Sequence, residues 1–244
     1  MNKPDILNNV RVVLSHPSHP GNIGAAARAI RTMGLSRLYL VNPKCFPDPA
    51  AVARAAGASD VLDNAVVCAT LDEALAGTSL AVAVTARRRD LSHEMLPARG
   101  AASRMLEFAA QGEVALVFGT EMSGLSNAEL DKCQLLATIA ANPEFSSLNL
   151  AAAVQILAYE LRMAWLDEAA LPAAKAMEAA SFEEVENFYG HLERAMIATE
   201  FLNPASPGRL MQRLRRLFAR ARLEKVEVDI LRGILTSVEK FSKK

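Results

Sequence analysis

Several kinds of residue and segment are scarce or missing in this chain of 244 residues, and each absence excludes a class of protein. The only cysteines are Cys45, Cys68 and Cys133, an odd number without the spacing of a disulfide framework, a zinc site or a redox motif. The chain has no run of about 18 consecutive apolar residues, the length needed to cross a membrane, and the N-terminus lacks the apolar segment of a signal peptide. We therefore expect a cytoplasmic protein that is neither secreted nor inserted in a membrane.

The chain also lacks the short motifs of several large enzyme classes. It has no G-x-G-x-x-G after its first predicted strand, no P-loop, no H-E-x-x-H and no G-x-S-x-G. These absences disfavour nicotinamide redox chemistry, P-loop phosphate chemistry, zinc hydrolysis and serine hydrolysis. The four histidines are scattered apart from His16 and His19, which have no carboxylates near them in the sequence, so no metal site is expected.

The residues that are present predict a globular α/β protein. The chain is 51% apolar and 22% charged, and short β-branched runs alternate with helical patterns over residues 10–166. Most of these runs are apolar throughout, which is typical of strands buried on both faces of a parallel sheet. We expect a mostly parallel sheet flanked by helices. The predicted strands cover residues 10–15, 37–41, 80–84, 114–118 and 135–140, with a weaker candidate at 61–67.

A change of pattern towards the C-terminus predicts a division of the chain. We expect an α/β domain over residues 1–167, a linker over 168–180 and a helical extension over 181–244 that begins with a capping box at Ser181. The whole chain carries 27 basic and 27 acidic residues, but residues 205–244 hold 11 Lys or Arg and only 4 Asp or Glu. The basic end of the extension favours an anionic partner.

One predicted helix of the extension, at about residues 208–222, carries two stripes. Spacings of four, three and four residues place four arginines on one face: Arg209, Arg213, Arg216 and Arg220. The helix is expected to pack through the neighbouring apolar stripe of Leu210, Leu214, Leu217 and Ala221. A basic stripe on a packed helix can bind a phosphate backbone, and an ordinary solvated face or a membrane-surface helix would show the same pattern.

Loops that follow predicted strands carry the candidate site residues, because open α/β sheets bind their ligands at the carboxyl ends of strands. In the first such loop, HPGNIGAAARAIRTMG, two glycines flank Asn22 where a helix begins, and Arg28 lies on that helix. The ordinary interpretation is that Asn22 caps the helix. A second loop, TARRRD, contains three consecutive arginines, which either bind phosphate or form a solvated turn; Arg87 is the candidate RNA contact there.

Two further loops add polar side chains at the same predicted edge of the sheet. In VFGTEMSGLS, Gly119 permits a tight backbone path close to the carboxylate of Glu121. In IAANPEFSSLNLAAAV, the side chains of Ser146, Ser147 and Asn149 gather where a long apolar helix begins. A serine at that place is more often a helix cap than a reactive group. Considered one at a time, these loops do not indicate a reaction.

Three of these motifs, in this order and at these separations, resemble one enzyme family. They are N-x-G-x-x-x-R from Asn22, F-G-x-E-x-x-G-L-S from Phe118 and S-S-L-N-L from Ser146. They are similar to those of the TrmH-like ribose 2′-O-methyltransferases of the SPOUT superfamily. The similarity extends over the whole length, including the terminal R-R-L-F-A-R-A-R and I-L-R-G-I-L, to members that methylate a cytidine or uridine ribose at position 32 of the tRNA anticodon loop.

The resemblance implies a C-terminal trefoil knot, a homodimer, and S-adenosylmethionine as the cofactor. By matching position, it implies that the cofactor is bound by Val84, Thr85, Ala86, Gly119, Ile139, Ser146, Ser147, Leu148 and Asn149. The catalytic positions that it implies are Asn22, Arg28, Glu121 and Ser147.

The implied reaction is attack of a ribose 2′-oxygen on a sulfonium methyl group. Because a guanidinium donates hydrogen bonds and has no acceptor, we expect Arg28 to orient a phosphate and to stabilise the developing alkoxide, with a phosphate oxygen or Glu121 as proton acceptor. The alternative is a non-catalytic RNA-binding protein or tRNA chaperone that keeps the methyltransferase fold. A small-molecule α/β enzyme would leave the basic helix unexplained.

Overall fold

The computed structural model describes residues 6–86, 94–167 and 179–242. After a short 3-10 helix at Ile6–Asn9, the strands within these ranges are β1 (Val10–Ser15), β2 (Arg37–Val41), β3 (Val66–Cys68), β4 (Thr78–Val84), β5 (Met95–Pro97), β6 (Glu113–Phe118) and β7 (Leu135–Thr138). The helices are α1 (Pro20–Thr32), α2 (Pro49–Ala55), α3 (Ser59–Asp63), α4 (Leu71–Leu75), α5 (Ala98–Ala109), α6 (Asn127–Leu130), α7 (Leu150–Asp167), α8 (Phe182–Ala198), α9 (Leu210–Ala221) and α10 (Lys225–Ser242).

The described strands form one sheet of seven, in the order β3-β2-β1-β6-β4-β7-β5, and every pair is parallel. This arrangement confirms the predicted parallel sheet. In the middle of the sheet Leu14 of β1 pairs with Phe118 of β6, and Ala83 of β4 pairs with Leu136 of β7. The loops that follow these strands therefore leave from one edge of the sheet.

Both faces of the sheet are buried, which explains the unbroken apolar runs. Val12 and Leu14 of β1 belong to a cluster with α1, α5 and α7, and Val13 between them belongs to a second cluster on the opposite face. That second cluster includes Leu75 of α4 and Phe182 of α8. The extension thus contributes an aromatic side chain to the core of the α/β region.

The predicted strands agree with the structure where apolar residues are continuous. β1 and β2 have the predicted bounds, but the weaker candidate at 61–67 was wrong as one strand: α3 ends at Asp63 and β3 begins at Val66. β5 was not predicted, because it is only three residues long and ends in a proline, at the edge of the sheet.

The C-terminal extension is a bundle of three helices that contacts the sheet region. The rings of Phe188 in α8 and Phe218 in α9 meet edge to face at 4.8 Å, and Glu183 accepts hydrogen bonds from the Gly77 N–H. Most of the predicted linker lies outside the described residues. Its last two residues pair with the segment before α10, through a hydrogen bond from the Ala180 N–H to the Leu223 carbonyl. The proposed domain boundaries stay a prediction.

The prediction that α9 packs through Leu210, Leu214, Leu217 and Ala221 was wrong. Met211 and Phe218 pack against the bundle instead, and Leu217 is exposed. Arg215 lies on this packed side, where its guanidinium pairs with Glu186 and stacks 4.3 Å from the centre of the Tyr189 ring. The aromatic cluster and this ion pair, which leucine periodicity does not reveal, determine the buried face.

Candidate active site

The carboxylate of Glu121 holds the loop that leads into α1. Its Oε2 accepts hydrogen bonds from the Ser18 N–H at 3.1 Å and the Ser18 hydroxyl at 2.9 Å, and its Oε1 accepts from the His19 N–H and the Asn22 Nδ2, each at 3.1 Å. Burial raises the pKa of Glu121, but the hydrogen bonds from Asn22, Ser18 and His19 outweigh it and lower the pKa to about 2. A carboxylate with this pKa is a weak base. The structure therefore argues against Glu121 as the proton acceptor and favours an organising role.

Asn22 connects this loop to the third motif. Its Oδ1 accepts a hydrogen bond from the Nδ2 of Asn149 at 3.0 Å, and the Oδ1 of Asn149 accepts from the Ala151 N–H at 3.0 Å, which caps α7. Asn22 is not a helix cap, since α1 begins at Pro20. Asn149, rather than Ser147, caps α7. The three motifs thus meet in one network of polar side chains.

The loop after β6 folds back on itself directly beside Gly119. The Thr120 N–H donates to the Gly124 carbonyl at 3.3 Å, and the Gly124 N–H donates to the Thr120 carbonyl at 3.0 Å. A Cβ atom on Gly119 would lie 2.1 Å from the Gly124 carbonyl carbon and 2.2 Å from the Leu125 nitrogen. Only glycine fits at position 119, and the resulting turn directs Glu121 towards α1.

A second carboxylate, Glu129, fixes the start of the first-motif loop. It accepts a hydrogen bond from the hydroxyl of Ser15, which is fully buried at the end of β1. It also accepts hydrogen bonds from the Ser126 hydroxyl and from the Ser126 N–H, each at 2.7 Å. Burial raises the pKa of Glu129, but these hydrogen bonds outweigh it and lower the pKa. Sequence reasoning did not select Glu129. The capping-box pattern of Ser126 and Glu129 was the only signal, and it does not reveal the contact with β1.

Beside this network lies an open cleft at the carboxyl ends of β4, β6 and β7. Eight of the nine residues that the resemblance assigned to the cofactor line it: Val84, Thr85, Ala86, Gly119, Ile139, Ser146, Ser147 and Leu148. The ninth, Asn149, does not line the cleft and hydrogen-bonds to Asn22, which does not line it either. Three of the four loops that sequence reasoning singled out therefore line one cavity, and the first-motif loop is joined to it by the hydrogen bond from Asn22 to Glu121.

Two polar side chains near the cleft have no protein partner in the ranges that the structure describes. The Ser147 hydroxyl lines the cleft and makes no hydrogen bond, and the guanidinium of Arg28 is exposed on α1, outside the cleft lining, without an ion pair. Arg31, one turn later, pairs with Asp60 at 2.9 Å. Ser147 and Arg28 are thus available to a ligand.

Two large apolar side chains at the cleft were not selected from the sequence. Met122 is 96% exposed and lines the cleft, and Phe145 is 79% exposed beside the lining residue Ser146. The sequence feature that could have identified Phe145 is its position as an aromatic residue in an otherwise polar loop. Exposed apolar groups at a cleft are suited to contact with a nucleobase.

The predicted arginine stripe is exposed on α9. No ion pair of Arg209, Arg213, Arg216 or Arg220 occurs among the residues described, and Arg216 alone is half-buried. Their neighbours differ, since Arg215 pairs with Glu186 and Arg222 lies 3.9 Å from Glu94. Arg87, the other predicted RNA contact, lies outside the described residues.

Two further features are absent from the part of the chain that the structure describes. No group of three or more His, Cys, Asp or Glu side chains there is arranged to hold a metal ion. None of the described helices has the length and apolar character needed to span a bilayer. Cys68 and Cys133 are buried, and burial raises the pKa of each thiol.

Comparison with known proteins gives two matches that together cover most of the chain. Residues 9–159 match the SpoU rRNA Methylase family, and residues 183–244 match the C-terminal domain of the tRNA methyltransferase TrmJ. The chain is 52% identical over 242 residues to the tRNA (cytidine/uridine-2′-O-)-methyltransferase TrmJ of Klebsiella pneumoniae, which covers 98% of this chain and 99% of the relative.

Solved structures agree with this relationship. TrmJ from Z. mobilis ZM4 superposes with a TM-score of 0.81 at 33% identity, over 94% of this chain and 98% of that one. An AdoMet-bound rRNA methyltransferase from Sinorhizobium meliloti shares the fold, with a TM-score of 0.52 at 24% identity over 63% of this chain and 56% of that one. The predicted SPOUT fold is thereby confirmed, and the trefoil knot stays a prediction. This chain therefore belongs to the SpoU methylase family of SPOUT methyltransferases and ends in a C-terminal domain of the TrmJ type.

Proposed function

We propose that this methyltransferase transfers the methyl group of S-adenosylmethionine to the ribose 2′-oxygen of cytidine or uridine at position 32 of the tRNA anticodon loop. The observation that carries the proposal is the convergence of the three motifs, through Asn22, Glu121 and Asn149, beside one cleft. The TrmJ relatives, which match over nearly the whole chain, support the choice of tRNA as substrate.

The lining of the cleft fits the proposed cofactor in chemistry. Its mixture of polar and apolar groups suits a nucleoside with a flat apolar base and a polar tail. Ile139 and Leu148 supply apolar surface, and the unpartnered hydroxyl of Ser147 supplies a hydrogen-bonding group. Glu121 lines the cleft and is ionised, so its negative charge would favour a cationic sulfonium there. The cofactor, when bound, supplies an activated methyl group.

The chain's own groups would position the acceptor ribose and handle its proton. Arg28 is exposed and unpaired six residues after Asn22 on α1, so it is free to bind the phosphate next to the target nucleotide. Its positive charge would stabilise the alkoxide that develops on the 2′-oxygen. Because the pKa of Glu121 is about 2, we assign proton acceptance to a phosphate oxygen of the RNA rather than to that carboxylate.

The arginine stripe on α9 supplies a second contact with the RNA. Arg209, Arg213 and Arg220 are exposed and have no acidic partner among the described residues, which suits them to phosphate oxygens. Arg215, held by Glu186 and Tyr189, stabilises the bundle and is not part of this surface. We therefore assign tRNA binding to the C-terminal extension.

A homodimer and a cytoplasmic location complete the proposal. Tyr159 and Leu166 are exposed on α7, an apolar helix whose other side is buried, and they would be covered by a second α/β domain. A substrate tRNA and the scarcity of cysteine both favour a reducing cytoplasm.

Transfer of a labelled methyl group tests the proposed activity. The purified protein is incubated with bulk tRNA and S-adenosylmethionine labelled in the methyl group, and the tRNA is digested to nucleosides. We expect label in 2′-O-methylcytidine or 2′-O-methyluridine. A tRNA that carries a 2′-deoxynucleotide at position 32 is the control, because it lacks the attacking oxygen. Tight tRNA binding without any label would contradict the proposal and favour the non-catalytic alternative.

A further inference from the structure

Residues 126–131, which include the short helix α6, contact both the candidate site and the C-terminal extension. Glu129 accepts a hydrogen bond from the Ser15 hydroxyl at the end of β1, where the first-motif loop starts. Two residues later, the Oδ2 of Asp131 accepts a hydrogen bond from the Nε2 of Gln212 in α9 at 3.1 Å. This segment therefore joins the helix that carries the arginine stripe to the framework of the active site.

Asp131 is held in place by the residues on either side of it. Leu130, directly before it, is buried in the apolar cluster on one face of the sheet. Lys132, directly after it, forms an ion pair with Asp72 of α4. Because the interior is close-packed, a buried neighbour leaves the backbone at Asp131 little freedom to move. Asp131 is thus a fixed acceptor on the α/β region.

Gln212 lies among the residues of the arginine stripe. It follows Arg209 by three positions and comes directly before Arg213, so it is within one helical turn of both. Its hydrogen bond to Asp131 is partly buried and is charge-assisted, since the acceptor is a carboxylate. The bond restricts rotation of α9 about its own axis, and this rotation determines where the arginine side chains point.

The extension has a first point of attachment at the start of α8. There Phe182 is buried in the core, and Glu183 accepts hydrogen bonds from the Gly77 N–H at 2.8 and 2.9 Å. A body attached at one place can still pivot, and the hydrogen bond from Gln212 adds an attachment on α9 itself. Arg222, just past the end of α9, lies 3.9 Å from Glu94, and because both side chains are exposed this pair holds α9 only weakly.

We propose that Gln212 and Asp131 are positioning residues for the tRNA substrate. Their hydrogen bond sets the orientation of α9, so that RNA bound to the arginine stripe presents its target ribose at the cleft. Neither residue contacts the cofactor or the reacting ribose, and both act through the arginines of α9. The inference rests on the proposed methyl transfer to tRNA. Orientation matters because a misplacement of about 1 Å at a reacting centre can slow a reaction about 100-fold.

Removal of the donor is the first test. Gln212→Met keeps the length and helix propensity of the side chain but loses the hydrogen bond. We expect the single-turnover rate at saturating tRNA to fall about tenfold. The dissociation constant of tRNA should stay within about twofold, because the arginines that contact phosphate are unchanged. The affinity for S-adenosylmethionine and the midpoint of thermal unfolding should match those of the wild type.

Reversal of the hydrogen bond is the second test. Gln212→Glu removes the donor and places two carboxylates together, so it should slow turnover at least as much as Gln212→Met. Adding Asp131→Asn supplies an amide that donates to the new carboxylate and restores the net charge of the wild type. We expect the double variant to recover to within about threefold of the wild-type rate, because the same two positions are again joined by a charge-assisted bond. Asp131→Asn alone keeps an acceptor oxygen and should be nearly normal.

The controls separate this inference from the proposed function. Gln111→Met, at an exposed position after α5, should leave every measured quantity unchanged. A normal rate for Gln212→Met, a loss explained by weaker tRNA binding, or no recovery in the double variant would overturn the inference while the wild type stays active. A wild-type chain that transfers no methyl group to tRNA would overturn the proposed function and this inference with it.

Discussion

Asn149 uses its two amide atoms for two different tasks: its oxygen caps α7, and its nitrogen donates a hydrogen bond to Asn22 of α1 at 3.0 Å. The two residues are 127 positions apart in the sequence. Asn22 in turn donates to Glu121. The position of the third motif therefore depends on an amide group, and a carboxylate of the same shape would preserve only the cap.

Two substitutions at Asn149 separate these tasks. Asn149→Asp keeps an oxygen that caps α7 but removes the donor to Asn22, so we expect near-normal thermal stability with strongly reduced methyl transfer. Asn149→Ala removes both and should lower the free energy of unfolding by about 1 kcal/mol as well. Thermal denaturation and a tRNA methylation assay check the two variants. Full activity of Asn149→Asp would show that the link to Asn22 is unnecessary.

The pKa of Glu121 predicts acid sensitivity of the site. Since hydrogen bonds lower this pKa from 4.5 to about 2 in the folded protein, the ionised carboxylate contributes stability that is complete above about pH 4.5 and is lost as the pH falls towards 2. Glu121→Gln should therefore unfold at a lower temperature than the wild type at pH 7, and the difference should disappear near pH 2. Glu193→Gln, at an exposed position on α8, is the control. A difference that does not change with pH would contradict this assignment.

Arg28 is expected to act on the ribose and phosphate rather than on the cofactor. Because it does not line the cleft, Arg28→Lys should leave S-adenosylmethionine affinity unchanged while lowering turnover about 100-fold, the usual effect of losing an oriented donor to a developing oxyanion. Calorimetric titration and single-turnover methylation measure the two quantities. Arg31→Lys, on the same helix but paired with Asp60, should be nearly silent in both. Near-normal turnover of Arg28→Lys would remove Arg28 from the reaction.

The arginine stripe predicts a change in the salt dependence of tRNA binding. Arg213→Ala with Arg220→Ala removes two exposed guanidinium groups, and the slope of log affinity against log salt should become shallower by roughly two. Arg232→Ala, an exposed arginine on α10, is the matched control for charge. Filter binding at several salt concentrations gives the slopes. An unchanged slope in the double variant would place the RNA on another surface.

The parts of the fold that local patterns determine could be predicted from the sequence. β1 and β2 are apolar throughout because both faces of the sheet are covered, and their bounds were predicted correctly. The face of α9 was mispredicted because Arg215, a charged residue, is half-buried against Glu186 and Tyr189. Helical periodicity treats every arginine as solvated, so it does not anticipate a paired one.

The candidate site, like the fold, could be predicted from the sequence only in part. The cofactor residues came from the order of three motifs, and the structure places eight of nine around one cleft. The hydrogen-bond network around Glu121 could not be predicted from the sequence, because two of its donors are the backbone N–H groups of Ser18 and His19. Backbone groups have no signature in the order of side chains. Long-range contacts of this kind follow from the register of β1 against β6.

Substitution of glycine by alanine is expected to have opposite effects at two positions close to β6. A Cβ atom on Gly119 would lie 2.1 Å from the backbone of Gly124, whereas Gly112 has no neighbour within 4 Å of its Cβ position. Gly119→Ala must therefore open the turn that carries Glu121, and it should lower the free energy of unfolding by about 2 kcal/mol and abolish S-adenosylmethionine binding. Gly112→Ala should be neutral or stabilise by about 0.5 kcal/mol, because it restricts only the unfolded chain. Urea denaturation and calorimetric titration compare the variants, and a Gly119→Ala protein that still binds the cofactor would show that the turn tolerates a side chain.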